Sequence, residues 1–67
     1  SLYDIEQVLT LEPRHFGALS GRAQIFIELE EYGKAIDDLK KAKTINPTIG
    51  SKEIISELEK LIKGLNI

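Results

Sequence analysis

Between Phe16 and Pro47 the apolar residues fall into two helical patterns. In the first, Leu19, Ala23 and Phe26 recur at i, i+4 and i+7, a single helix face, with Phe16, Ile25, Ile27 and Leu29 on or beside it. In the second, Ala35, Ile36, Leu39, Ala42 and Ile45 are core candidates, while Lys34, Asp37, Lys40 and Lys41 point elsewhere. The connection at Glu30-Glu31 is short enough to force an antiparallel hairpin. Upstream, Leu2, Ile5, Val8, Leu9 and Leu11 form a helical stripe, with Asp4 and Glu6 near the positive end of the helix dipole. Downstream, after Thr48, Ile49 and Gly50, Ser51 suits an N-cap. Beyond it Ile54, Ile55, Leu58, Leu61, Ile62 and Leu65 make a wide apolar stripe opposite Lys52, Ser56, Glu59, Lys60 and Lys63. Gly64 then reads as a helix stop in the left-handed conformation. The pattern predicts an all-α chain of about four helices, at 1–12, 15–29, 32–45 and 51–64.

Local signals add detail. The residue before a proline is pushed out of the helical region, so Pro13 and Pro47 each close a helix. Asp37 with Lys41 and Glu59 with Lys63 are spaced for i, i+4 ion pairs. Gly17 and Gly21 each cost about 1 kcal/mol relative to alanine inside a helix. Two readings of them stand together: close packing where a side chain would not fit, or a groove left open for a ligand.

The two prolines lie 47 − 13 = 34 residues apart. Laying residues 2–13 on 36–47 aligns Leu2 with Ile36, Ile5 with Leu39, Val8 with Ala42 and Leu11 with Ile45. At the same shift Asp4 meets Asp38, Thr10 meets Thr44 and Pro13 meets Pro47. Helical periodicity alone does not bring a terminal proline into register with an apolar stripe, so the pattern is an internal repeat.

Composition narrows the chemistry. Sixty-seven residues make one small domain at most, and such chains often lean on a metal, a disulfide or a partner. There is no cysteine, which removes disulfides, thiolate metal sites and a cysteine nucleophile and is compatible with the cytoplasm. A net charge of −2 gives no general attraction to nucleic acid or anionic membrane, so neither is an expected partner. No apolar run approaches the roughly 18 residues of a membrane span. His15 is the lone histidine and fits a linker or helix start better than a ligand set. The adjacent carboxylates Asp37-Asp38 and Glu30-Glu31 face different directions on a helix and read as surface charge. No phosphate loop or catalytic constellation is present, so no catalytic, cofactor-binding or metal residue is assigned and no enzyme activity is expected. The chain starts at Ser1, directly in helix-like sequence, as a fragment of a longer protein would.

Leu19, Ala23, Phe26, Tyr32, Ala35, Ala42 and Pro47, with Leu39 between the last two alanines, resemble the tetratricopeptide repeat (TPR) family. Its unit is a helix–turn–helix of about 34 residues with this order of large, small, aromatic, alanine and proline positions. Two positions depart from the pattern: Leu19 stands where the family usually has tryptophan, and Arg22 where it usually has leucine. The resemblance implies antiparallel helix-turn-helix repeats in an alpha-alpha superhelix, or solenoid. Residues 1–13 would be the second helix of a preceding repeat, 16–49 one complete repeat and 50–67 a capping helix, apolar toward the hairpin and charged toward water.

By the same resemblance the chain would be a scaffold for protein binding, holding a peptide or protein segment in a concave groove. Mapped here, the groove candidates are Ser20, Gly21, Gln24, Ile27 and Glu28, joined by Ile55, Glu59 and Ile62 from the last helix. Ser20, Gly21 and Gln24 stand where some members carry a cationic clamp, so an acidic-tail ligand is disfavoured. Repeats with apolar surface on both sides stack on neighbours, so Leu2, Ile5, Val8 and Leu9 are expected to form an under-covered edge. That edge suggests an alternative role, homo-oligomerisation as a structural module; a regulatory appendage of a larger protein is a third.

Overall fold

A computed structural model of the chain describes residues 2–47 and 49–65, with the backbone alone described at 49–51 and 65. The helices are α1 (Leu2–Leu11), α2 (Phe16–Glu28), α3 (Tyr32–Ile45) and α4 (Ile49–Leu65). There is no strand among the described residues, and no helix there is long and apolar enough to cross a membrane. Among those residues the backbone of α1 lies against α2, α2 against α3 and α3 against α4, and no other pair of helix backbones approaches as closely.

The ends of α2 are set by local hydrogen bonds. His15 is its N-cap: in extended backbone, its Nδ1 accepts the Ala18 N–H at 3.0 Å and so satisfies an amide that has no partner within the helix. At the other end the Glu30 N–H donates to the Ile27 carbonyl at 3.0 Å and the Glu31 N–H to the Phe26 carbonyl at 2.8 Å. That pair of bonds is a Schellman closure, which needs left-handed backbone at its pivot, and Glu30 supplies it with φ 61°. A side chain there clashes with its own backbone in a way that glycine avoids.

The core is built from small residues flanked by large ones. Early α2 meets late α3, since Ala18 and Leu19 share a cluster with Ala42 and, from α1, Leu9. Late α2 meets early α3, where Ala23, Ala35, Ile36 and Leu39 join Ile55 and Leu58 of α4. The order establishes that α2 and α3 are antiparallel. Ala35 has no exposed surface, and Leu19 is the largest fully buried side chain among the described residues. The internal repeat is visible in the hydrogen bonding too. Thr10 Oγ1 donates to the Glu6 carbonyl at 2.8 Å, and Thr44 Oγ1, its partner at the 34-residue shift, donates to the Lys40 carbonyl at 3.0 Å.

Several expectations are corrected. Helix α4 begins at Ile49, so Ser51 lies inside it and does not cap it. Gly64 is also helical, and none of the described glycines has positive φ. Leu9, expected on an open edge, is buried under α2, whereas Leu11, expected in a stripe, is 84% exposed because α2 covers only the other side of α1. Ile54 and Leu61 stay exposed, since one neighbouring helix cannot cover so wide a stripe. Neither Asp37–Lys41 nor Glu59–Lys63 forms an ion pair within 4.0 Å, as befits exposed side chains for which water competes. At Gly21 an added Cβ would stand 3.6 Å from Ile5 Cδ1, an ordinary contact, so packing does not demand glycine there.

The strained pivot yields a direct test. Glu30→Gly is expected to raise stability by about 0.5–1 kcal/mol, an increase in Tm of about 2–8 °C, because relief of left-handed strain exceeds the added chain entropy. Thermal unfolding followed by circular dichroism checks it; an unchanged or lower Tm would show that Glu30 is not strained.

Candidate functional site

The face of α2 that the repeat pattern points to carries alternating character. Ser20, Gly21 and Ile27 are half-buried, and Gln24 and Glu28 are exposed. Ile27 rests on the α2–α3–α4 core cluster, as does the half-buried Ile62 of α4, so these two are brought to one region with Ile55. Ile55 itself is only 8% exposed and serves mainly as core, which leaves little of it for a ligand. Gly21 faces Ile5 of α1, toward the other end of the hairpin from that region. Glu59 is exposed and, with Ile55, borders a depression along the α3–α4 seam.

On the expected N-terminal edge, Leu2 and Ile5 are half-buried and Leu9 is buried. Val8 is 38% exposed and is joined by Tyr3 at 70%, so the open surface of α1 is centred on Tyr3, Val8 and Leu11. Of the four residues expected on that edge, Val8 is the exposed one.

One interaction was not legible as such. Arg22 and Asp38 form a bidentate pair across the hairpin: Nε donates to Oδ2 at 2.8 Å and Nη2 to Oδ1 at 2.7 Å. Asp38, expected to be surface charge, is 5% exposed, and among the described residues no buried side-chain polar atom lacks a hydrogen bond. Hydrogen bonding to Asp38 raises the Arg22 pKa above its ordinary value; burial opposes the rise, and the charges of Asp38 and Glu6 add to it. Arg22 is therefore a permanent cation with its charge fixed in place. The available signal was a cation on one helix face and a carboxylate on the opposed one.

Two cations lie over the Phe26 ring, with Arg22 Cζ and Lys34 Nζ each 5.7 Å from its centroid. Lys34 is also held by Glu31 at 3.0 Å, so both cations beside the ring have carboxylate partners. No group of three or more histidine, aspartate or glutamate residues is placed to hold a metal among the described residues.

The geometry is a helical hairpin with alanines at its centre. A 25-residue stretch, 37% of this chain, is 72% identical to part of a TPR repeat-containing protein of Rhizobium etli. The resemblance to the TPR family holds. The matched stretch spans 12% of the length of that relative. No family model matches the chain, and no solved structure matches it.

The ion pair makes a sharp prediction within this TPR-like hairpin. Arg22→Leu leaves a nearly buried carboxylate alone and is expected to cost about 2 kcal/mol, discounted from a fully buried pair because Arg22 is partly exposed. Arg22→Leu combined with Asp38→Leu should recover most of that loss. Urea unfolding of the two single variants and the double variant measures the coupling; additive effects would mean that the pair contributes nothing.

Proposed function

We propose that the chain is a non-catalytic protein-interaction module of the TPR type. In this reading residues 16–49 are one complete repeat, 1–13 the second helix of a preceding one and 50–67 a capping helix. The observation that carries it is the α2 face itself. Gln24 and Glu28 project into solvent beside the half-buried Ile27, with Ile62 of α4 packed on the same core cluster. Polar side chains around apolar anchors, mounted on packed helices, suit an amphipathic or extended peptide segment better than a small molecule. The absence of cysteine agrees with a cytoplasmic setting.

A second reading has its own observation. Tyr3, Val8 and Leu11 leave an apolar strip on α1, which would support self-association.

The two are separated by one set of measurements. With amphipathic helical peptides of about 15 residues bearing leucine anchors, amide shifts should concentrate at Ser20, Gln24, Ile27 and Glu28. Gln24→Lys with Glu28→Lys should weaken that binding by about tenfold. If no peptide shifts these residues and sedimentation mass rises with concentration until Leu11→Glu abolishes the rise, self-association replaces peptide binding.

A further inference from the structure

The 34-residue shift makes α1 and α3 equivalent helices, and each lies against the helix that follows it. On another side α3 receives α2, through Asp38, Ala42 and Ile45. At the same shift these three residues are Asp4, Val8 and Leu11 of α1. All three are exposed, Leu11 the most. The open face of α1 therefore repeats a surface whose occupant is visible elsewhere in the same molecule.

That occupant has a defined chemistry. Toward α3, α2 presents Leu19, Arg22 and Phe26 at i, i+3 and i+7, with Ala23 beside them. Arg22 makes two charge-assisted hydrogen bonds to Asp38, so a helix in the same register over α1 brings a cation to Asp4. The dipole of α1 also favours a carboxylate in its first turn, but it does not account for Val8 and Leu11 in line with that carboxylate. Size differs at one point. Val8 is larger than its counterpart Ala42, so the incoming helix suits alanine where α2 has Leu19.

Helix α4 carries a face of the same kind as α2. Ile54, Glu57 and Leu61 repeat the spacing of Leu19, Arg22 and Phe26, and all three are exposed. Docked on α1 of another copy, α4 would set Glu57 in the place of Arg22, against Asp4. Two carboxylates would then meet where the hairpin has an ion pair, a repulsive element directed against self-assembly. Charge at this one position selects against a second copy and for a partner that carries a cation.

We propose that the open face of α1 docks a helix of a partner protein whose arginine meets Asp4. The helix presents a small residue, the arginine three positions on and an aromatic four beyond it. The proposal rests on reading the chain as a protein-interaction module, and it adds a site separate from the α2 face.

The test titrates the whole chain with an acetylated and amidated peptide of residues 15–29 bearing Leu19→Ala, following amide shifts. That substitution also disfavours exchange of the peptide with α2 itself, whose leucine is enclosed. Shifts should concentrate at Asp4, Val8 and Leu11. Arg22→Gln in the peptide and Asp4→Asn in the chain should each weaken binding about threefold, with no further loss when the two are combined. Glu57→Arg in the whole chain should make sedimentation mass rise with concentration. Adding Leu11→Glu should reverse that rise, which aggregation of a misfolded chain would not do. Absence of shifts on α1, equal binding of the Arg22→Gln peptide, or unchanged mass of the Glu57→Arg chain each overturns the proposal. Shifts at Ala35, Asp38 and Ala42 would show exchange with α2 and overturn it as well. An unsubstituted chain that self-associates through Leu11 would make a second copy the occupant, against the proposal. Shifts confined to Ser20, Gln24 and Ile27 overturn this site while leaving the α2 face as the binding surface. If leucine-anchored peptides also fail to shift those residues, the module reading falls with it.

Discussion

The structure depends on how closely α2 and α3 can approach. Ala23 and Ala35 occupy one end of their contact and Ala42 the other, all essentially without exposed surface. Methyl side chains let two helices come together while Leu19, Ile36 and Leu39 fill the space around them, as close packing of the interior requires. Once that approach is set, the remaining features have little freedom. The connection must reverse within Leu29, Glu30 and Glu31, which forces Glu30 into left-handed backbone. Arg22 and Asp38 are brought face to face beside the alanines, and the bidentate geometry then resists sliding or rotation of one helix on the other.

The fold was largely readable because its signals are local. Apolar periodicity, the prolines at 13 and 47 and the shift between them located all four helices, and the family positions picked out the alanines that prove to be buried. Two local signals misled. Ser51 has capping chemistry, yet α4 starts earlier, and Gly64 carries no left-handed turn. Asp38 looked like one of two equivalent surface carboxylates until the opposed helix supplied Arg22. The site residues were less readable still. Periodicity assigns a residue to a helix face but not to the neighbour that covers it, so Leu9 and Ile55 proved to be packing residues, while Tyr3 and Leu11 were left open.

Charge is distributed in two ways across the molecule. Around Phe26 the cations are paired with carboxylates, and the ring, the ions and the hairpin form one compensated unit. Along the α3–α4 seam Lys40, Lys43 and Lys52 share a depression with Glu59 and form no ion pair within 4.0 Å among the described residues. The first arrangement holds the hairpin in register. The departure of Arg22 from the family's usual leucine is matched by its carboxylate partner on the opposed helix.

Contact between sequence neighbours alone also governs how the molecule opens. Detaching α1 separates it chiefly from α2, and detaching α4 chiefly from α3; separating α2 from α3 disrupts the alanine core and the ion pair together. Amide hydrogens should therefore exchange in a gradient, fastest toward the two outer helices and slowest in the central pair. A ligand on α1 would slow exchange in a helix that otherwise opens first, converting a locally loose element into part of the cooperative unit.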